Sequence, residues 1–408
     1  MKRVATLTDF LNFDPAYSLC RVVQAQIRML KRGGYAPRLL VRQGFEPQHI
    51  RSYEGVETIA LNHGKTGSNT VEINEASGVE INTLTEELRR ALDGIDVVLT
   101  HDLIYQPNCW KAHVAARRVA NTRPDLRWLH WVHSASNMAV RNKVGPFREE
   151  LSGIFPNARL VAMHRAEVDF KGALYGYERD QIAVIPNPID FLEGCDPLTR
   201  KAVDTLNLMN ADVIAVYPCR LDRGKQPHLI VDVFAELRKL GADARMVLVD
   251  FHSVAEDKLT YRNEIRARAA NCGVPILFTS DLEGAWGGGD VVGGAPYNYC
   301  VPHRAVMELF EIGDVLVHPS MSESDPLVLY EAEWKRCGLV LNARVGVFGL
   351  YQGQALLYNF PEEAAAIVAA GIAYQMRNNP LLALHAQARK ERSLEGVWPV
   401  LKAAIEGA

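Results

Sequence analysis

Two carboxylates, Glu323 and Glu331, stand with seven residues between them in "SMSESDPLVLYEAEW", and two cations, Arg220 and Lys225, stand close together in "VYPCRLDRGK". Ionised carboxylates accept hydrogen bonds from hydroxyls, so a pair at different depths could hold the two ends of one elongated polyhydroxylated ligand. Fixed cations stabilise negative charge that builds up on a departing group, most strongly where water is excluded. An E-x7-E spacing alone arises by chance in many charged chains, so its value depends on the elements around it.

Those elements can be read locally. "VLVHPS" has the composition of a buried strand. Asp325 is a helix N-cap residue, Pro326 suits the first helical position, and Gly338 is placed to end the helix after Cys337. Glu323 then lies in a strand-to-helix loop, with Glu331 about one and a half turns inside the helix. The free N–H groups of the first turn offer an anion site beside Ser324, Asp325, Pro326 and Leu327. Upstream, Arg220 falls just after a strand and Lys225 lies in the loop that opens the next helix, while Arg223 is expected on the surface. In "LRWLHWVHSAS", alternation sends His130 and His133 to opposite faces of a strand, so the pair is not a metal site.

Along the whole chain, short apolar runs alternate with amphipathic stretches, the pattern of a parallel sheet covered by helices on both faces. The runs are "VATLT", "PRLLVRQ", "ETIALN", "DVVLTHD", "RWLHWVH", "RLVAMH" and "IAVIPN", then "DVIAVYP", "ARMVLVD", "PILFTS", "DVLVHPS" and "GLVLNA". Between the two sets lies the Pro-rich "PNPIDFLEGCDPLTR", the expected hinge. The pattern predicts an α/β protein with two Rossmann-like domains facing each other across a cleft, one over 1–186 and one over 187–385, with a last helix, about 386–408, packing back on the first. The Gly-dense stretch 283–300 reads either as a mobile loop at the ligand edge or as a disordered surface insertion.

A chain of 408 residues has room for two domains, and a formal charge of -3 gives no strong signal for nucleic acid or membrane. No apolar run approaches the roughly 20 residues that cross a bilayer, so no transmembrane segment is expected. With no leader-like N-terminus, a cytoplasmic location is expected. The seven cysteines are scattered without a CxxC pair, as in free thiols of a reducing compartment. No metal is expected, because neither a D-x-D loop nor a His/Cys/Asp cluster is present. No G-x-G-x-x-G follows the first strand, against a nicotinamide dehydrogenase, and no G-x-S-x-G marks an α/β-hydrolase.

"HPSMSESDPLVLYEAEWKRCG" resembles the E-x7-E segment of retaining glycosyltransferases with the GT-B fold, glycosyltransferase family 4 in particular, whose usual form is close to PS-x-x-E-G-F-G-L-x-x-x-E-A-x-x-x-G. "CRLDRGK" is similar to that family's G-R-L-x-x-x-K-G diphosphate element, with Cys219 in place of glycine. The resemblance is strongest over 184–346 and departs at Ser324-Asp325-Pro326, where Gly-Phe-Gly is common; Asp325 is expected to cap the helix rather than face a donor.

The resemblance implies a retaining transfer of a sugar from a nucleotide-diphosphate donor to a glycan or small-molecule acceptor, without a metal or a resident cofactor. Arg220 and Lys225 would neutralise the diphosphate, Glu323 would position the sugar, and Glu331 would hold the ribose. His133 resembles the strand-end histidine that contacts the donor sugar, and His101 could line the acceptor side. The family's Gly-rich first loop has no counterpart in "DFLNFDPAYSL". "NMAVRNKVGPFREE" could receive an anionic acceptor, although a solvated loop is the preferred account of it. Rivals are a nucleotide-sugar epimerase, a sugar phosphorylase, or a non-catalytic module that binds nucleotide sugar or glycan.

Overall fold

Strands buried on both faces need apolar side chains at every position rather than at alternate ones, and the runs quoted above have that character. The computed structural model describes residues 2–14, 16–46, 55–63, 76–134, 145–251, 257–282 and 301–407, and each run that the sequence marked as a strand forms one. The Gly-dense stretch 283–300 and most of "NMAVRNKVGPFREE" lie outside the described residues.

The chain divides into two units. The first comprises Met1–Asp190 and Arg392–Ala408, and the second comprises Phe191–Glu391. The first contains β1 (Arg3–Leu7), β2 (Ala36–Arg42), β3 (Glu57–Leu61), β4 (Val97–His101), β5 (Arg127–Trp131), β6 (Ala158–Ala162) and β7 (Ile182–Val184). They form one parallel sheet in the order β3-β2-β1-β4-β5-β6-β7. Successive residues serve opposite faces. Val4, Val97 and Leu99 join Ala25, Met29 and Leu30 of helix Ser18–Arg32 and Val397 and Leu401 of helix Leu394–Glu406, whereas Ala5 and Val98 join Leu84 and Leu88 of helix Ala76–Ala91 and Val114 of helix Trp110–Thr122. Gly33 ends the first of these helices where a Cβ would fall 2.1 Å from the Trp398 ring, so the absent side chain admits the C-terminal helix.

The second unit contains β8 (Val213–Arg220), β9 (Ala244–Phe251), β10 (Ile276–Phe278), β11 (Val315–His318), β12 (Gly338–Asn342) and β13 (Leu356–Tyr358), again all parallel, in the order β10-β9-β8-β11-β12-β13. The three-residue edge strand β13 is half-buried and carries no run long enough to announce itself. The second unit also keeps helix Pro380–Arg392 up to Glu391, so the return to the first unit falls later than the sequence suggested. The reason is Arg389. Its buried guanidinium donates to both oxygens of the fully buried Asp314 at 2.9 Å and to the carbonyls of Ala211 and Ile312, while Asp314 also accepts from the Ile214 N–H. Removing one member of such a pair strands a buried charge and costs about 3–5 kcal/mol.

In both units the strand order reverses direction beside the first strand, between β1 and β4 and between β8 and β11. Outside the carboxyl ends at such a switch point the flanking loops turn opposite ways and leave a crevice for ligands.

Candidate functional site

In the second unit the loops flanking the switch point carry the predicted cations and acids. β8 delivers Arg220 as its last residue. A short turn, Arg223–Lys225, follows, and Gln226 takes a left-handed φ of 50° before Pro227 starts the helix Pro227–Lys239. A buried, non-glycine residue in that region is strained and is held by its surroundings. The other loop leaves β11 at His318 and is anchored by the Asn342 side chain, which donates to the Ser320 carbonyl at 3.0 Å. The two loops are joined by the Met321 N–H, which donates to the Gly224 carbonyl at 2.9 Å.

The Lys225 ammonium and the Glu323 carboxylate meet here at 2.5 Å. Burial pushes the Glu323 carboxyl up, but hydrogen bonds from Lys225 and Ser320 and the neighbouring positive charge outweigh it and hold the group below the usual carboxylate range. The acid is therefore ionised, and the pair can exchange partners with a ligand that brings an anion and hydroxyls. Arg220 remains half-exposed, 3.2 Å from the Asp222 carboxylate. Arg223 lies on the surface as expected, bridging Asp257 and Glu264.

The helix that carries Glu331 differs from its expected form. It spans Leu327–Trp334, starting with the Leu329 N–H on the Pro326 carbonyl, so Pro326 and not Asp325 occupies the N-cap position, and no side chain caps it. The Asp325 carboxylate instead accepts from the Tyr330 hydroxyl at 3.3 Å, one turn along. Ser324, Asp325 and Leu327 are exposed at the helix start, with Pro326 partly covered. Nor does Gly338 stop the helix, because it opens β12. Arg336, at a φ of 66°, takes the left-handed place usual for glycine, with Arg336 N–H on Glu333 and Cys337 N–H on Ala332, the two bonds of a Schellman ending. Glu331 faces His303, at 2.8 Å from its Nε2. His303 was not anticipated, since it heads a separate helix, His303–Ile312, with no motif around it.

In the first unit, His133 follows β5 and is fixed by its own backbone: its N–H donates to Asp102 Oδ1 at 2.8 Å. Its ring lies 3.1 Å, Nε2 to Nδ1, from His101, which contacts Gln26 Oε1 through Nε2 at 2.8 Å. His101 is fully buried, stacked between Trp131 and His133, so it backs His133 and does not itself line an open surface. Burial pushes His101 well below the usual imidazole range, the nearby His133 adding to it; burial also lowers His133, against the charge of Asp102. His130 sits on the other face, with its Nδ1 on the Thr100 hydroxyl and its ring on Phe155. Phe10 and Phe13 are buried in the first loop, packed edge to face.

Among the described residues, no group of three or more His, Cys, Asp or Glu side chains is arranged to hold a metal ion, and no helix is long and apolar enough to cross a membrane. No family model and no curated protein matches the chain. Among solved structures, the chain is similar to a glycosyltransferase from Rickettsia africae, at 12% identity and a TM-score of 0.38 over 100% of this chain and 98% of that one. It is similar to HepE from Anabaena, crystallised in complex with UDP-glucose, at 14% identity and 0.38 over 100% of both. It is also similar to WaaG, a glycosyltransferase involved in lipopolysaccharide biosynthesis, at 14% identity and 0.34 over 99% of this chain and 100% of that one.

Proposed function

We propose that the chain is a retaining glycosyltransferase of the GT-B, family 4-like kind, moving a sugar from a nucleotide-diphosphate donor to an acceptor hydroxyl without a metal. One observation carries this reading: an ammonium and an ionised carboxylate, Lys225 and Glu323, come from the two loops beside the β8/β11 switch point and meet where a ligand of such a sheet belongs. A donor sugar offers hydroxyls to Glu323 and a diphosphate to Lys225.

In the reaction, the bond from the anomeric carbon to the diphosphate oxygen breaks and the acceptor oxygen bonds to the same face. The acceptor proton passes to the leaving diphosphate, so no enzyme nucleophile takes part. Lys225 and Arg220 stabilise the departing charge, Glu323 positions the sugar, Glu331 holds the ribose, and the exposed head of the helix, Ser324 to Leu327, lies along the donor. We assign His133 of the first unit a sugar contact, and assign that unit the acceptor.

A panel of nucleotide sugars tests this by thermal shift and by release of nucleoside diphosphate in the presence of EDTA. At a hundredfold excess over its dissociation constant the true donor stabilises by about 2.7 kcal/mol. Release with an acceptor, giving a product of unchanged anomeric configuration, is the expected result. Stabilisation without turnover against any acceptor marks a binding module instead, and donor consumption with no acceptor marks an epimerase.

A further inference from the structure

His318 closes β11 and is buried, 2% exposed, yet the donor reading gives it no task. Its ring lies between Tyr217, at 5.2 Å, and Phe348, at 5.3 Å. The hydrogen bonds assign its protons. The Tyr217 hydroxyl has one proton and gives it to the Lys225 carbonyl at 3.0 Å, which can only accept. His318 Nδ1, 3.2 Å from the same oxygen, must therefore be the donor there.

Burial pushes the His318 imidazole down to about 4, against the pull of Glu323, so near neutrality the ring carries that one proton. The lone pair of Nε2 then faces Glu323 Oε1 at 3.5 Å, acceptor against acceptor. One side of Glu323 is thus closed to hydrogen bonding, and its charged partner is Lys225.

We propose that His318 is a positioning residue of the donor site: anchored through Nδ1 on Tyr217, and so on the Lys225 turn, it walls off one side of Glu323 and keeps that carboxylate directed at Lys225 until a ligand takes the ammonium. The inference rests on the donor reading above. When a diphosphate draws Lys225 away, Glu323 loses its cation and gains nothing from His318, and the hydroxyls of an attached sugar restore its hydrogen bonds. A nucleotide sugar satisfies both groups, whereas a bare nucleoside diphosphate leaves Glu323 short of a donor. His318 thereby makes the site selective for the intact donor.

Calorimetric titration of UDP, ADP and GDP and of their glucose conjugates into the wild-type chain and three variants tests this. His318→Asn keeps an N–H near the Nδ1 position for Tyr217 and removes the ring edge beside Glu323. It is expected to lower the affinity ratio of conjugate to bare diphosphate about tenfold, or about 1.4 kcal/mol. Tyr217→Phe removes the oxygen that holds the Nδ1 proton, frees Nε2 to carry that proton toward Glu323, and is expected to lower the same ratio. An unshifted ratio in His318→Asn, with both affinities kept or both equally reduced, overturns the inference. Should that variant not fold, an unshifted ratio in Tyr217→Phe overturns it. Failure of the wild-type chain to bind any of the bare diphosphates, or unaltered binding in Lys225→Ala, overturns the donor reading itself and this inference with it.

Discussion

The two switch points share a topology and differ in what their loops carry. Beside β8 and β11 the carboxyl ends present the half-exposed Arg220 and the partly covered Lys225–Glu323 pair. Beside β1 and β4 they present buried aromatic rings and a histidine pair, with Phe10, Phe13 and His101 all packed away from solvent. Strand order places a crevice at both, but it does not decide which crevice does chemistry. Charge held at the surface of a fold is available for exchange with a ligand, whereas polar groups sealed inside one fix the shape of their neighbours.

The sealed histidines give the largest effect by which the comparison can be broken. In the first unit, burial lowers His130 to about 3 and His101 well below the usual range, with His63 and His133 also lowered; in the second, His318 is held at about 4 and His228 is lowered. A histidine whose folded-state pKa is depressed binds its proton in the unfolded chain first. Stability is therefore intact above about 6.5 and falls as pH drops below it, by about 1.4 kcal/mol per group for each further unit. His101 and His130 both withdraw stability from the first unit in this range, as His318 does from the second. The first unit is thus expected to unfold before the second between pH 6.5 and 5. Its buried tryptophans, Trp110, Trp128 and Trp131, report on it by fluorescence. Their emission should shift to the red while part of the far-ultraviolet dichroism survives. Coincident transitions would show the two units equally resistant and erase the contrast.

The charges at the second switch point give the next effect. Lys225→Ala and Arg220→Ala are each expected to lower turnover on the order of a hundredfold, the loss typical of one donor to developing negative charge. Arg223→Ala supplies an internal control, because its guanidinium is already committed to Asp257 and Glu264 on the surface and should leave turnover within a few-fold of wild type. Equal losses in all three would mean that general positive charge, not these two positions, matters.

Most of the strand framework was legible because parallel, doubly covered strands must be apolar throughout, and β1 to β12 each follow such a run. β13 was not legible, since Leu356–Tyr358 is too short to show a period. The helix around Glu331 was legible in existence but not at its ends. Asp325 has the residue type of a cap, yet Tyr330 competes for its carboxylate, and Arg336 adopts a backbone conformation that no side-chain preference announces. Lys225 and Glu323 were picked out by type and spacing, but their contact joins loops far apart in the chain. The bridge from Tyr217 through His318 was invisible for the same reason: a buried tyrosine in one strand and a histidine in another acquire meaning only when β8 and β11 become neighbours.

Glu331 offers the smallest effect and the sharpest probe of how far the charged crevice extends. Its carboxylate is partly covered and already has a partner, His303, at 2.8 Å, in contrast to Glu323, whose partner Lys225 is the group proposed to take the diphosphate. If Glu331 holds the ribose, its contacts are present equally in the bound donor and in the transition state, so their loss raises KM and leaves the rate at saturation nearly alone. Glu331→Ala is therefore expected to weaken donor binding about tenfold, about 1.4 kcal/mol, with at most a small change in kcat. His303→Ala removes only the present partner, frees the carboxylate, and should preserve or tighten donor binding. Steady-state kinetics with varied donor distinguish the cases: an unaltered KM in Glu331→Ala would confine the site to the Lys225–Glu323 side, and a loss in kcat equal to that of Lys225→Ala would place Glu331 at the reacting bond instead of the ribose.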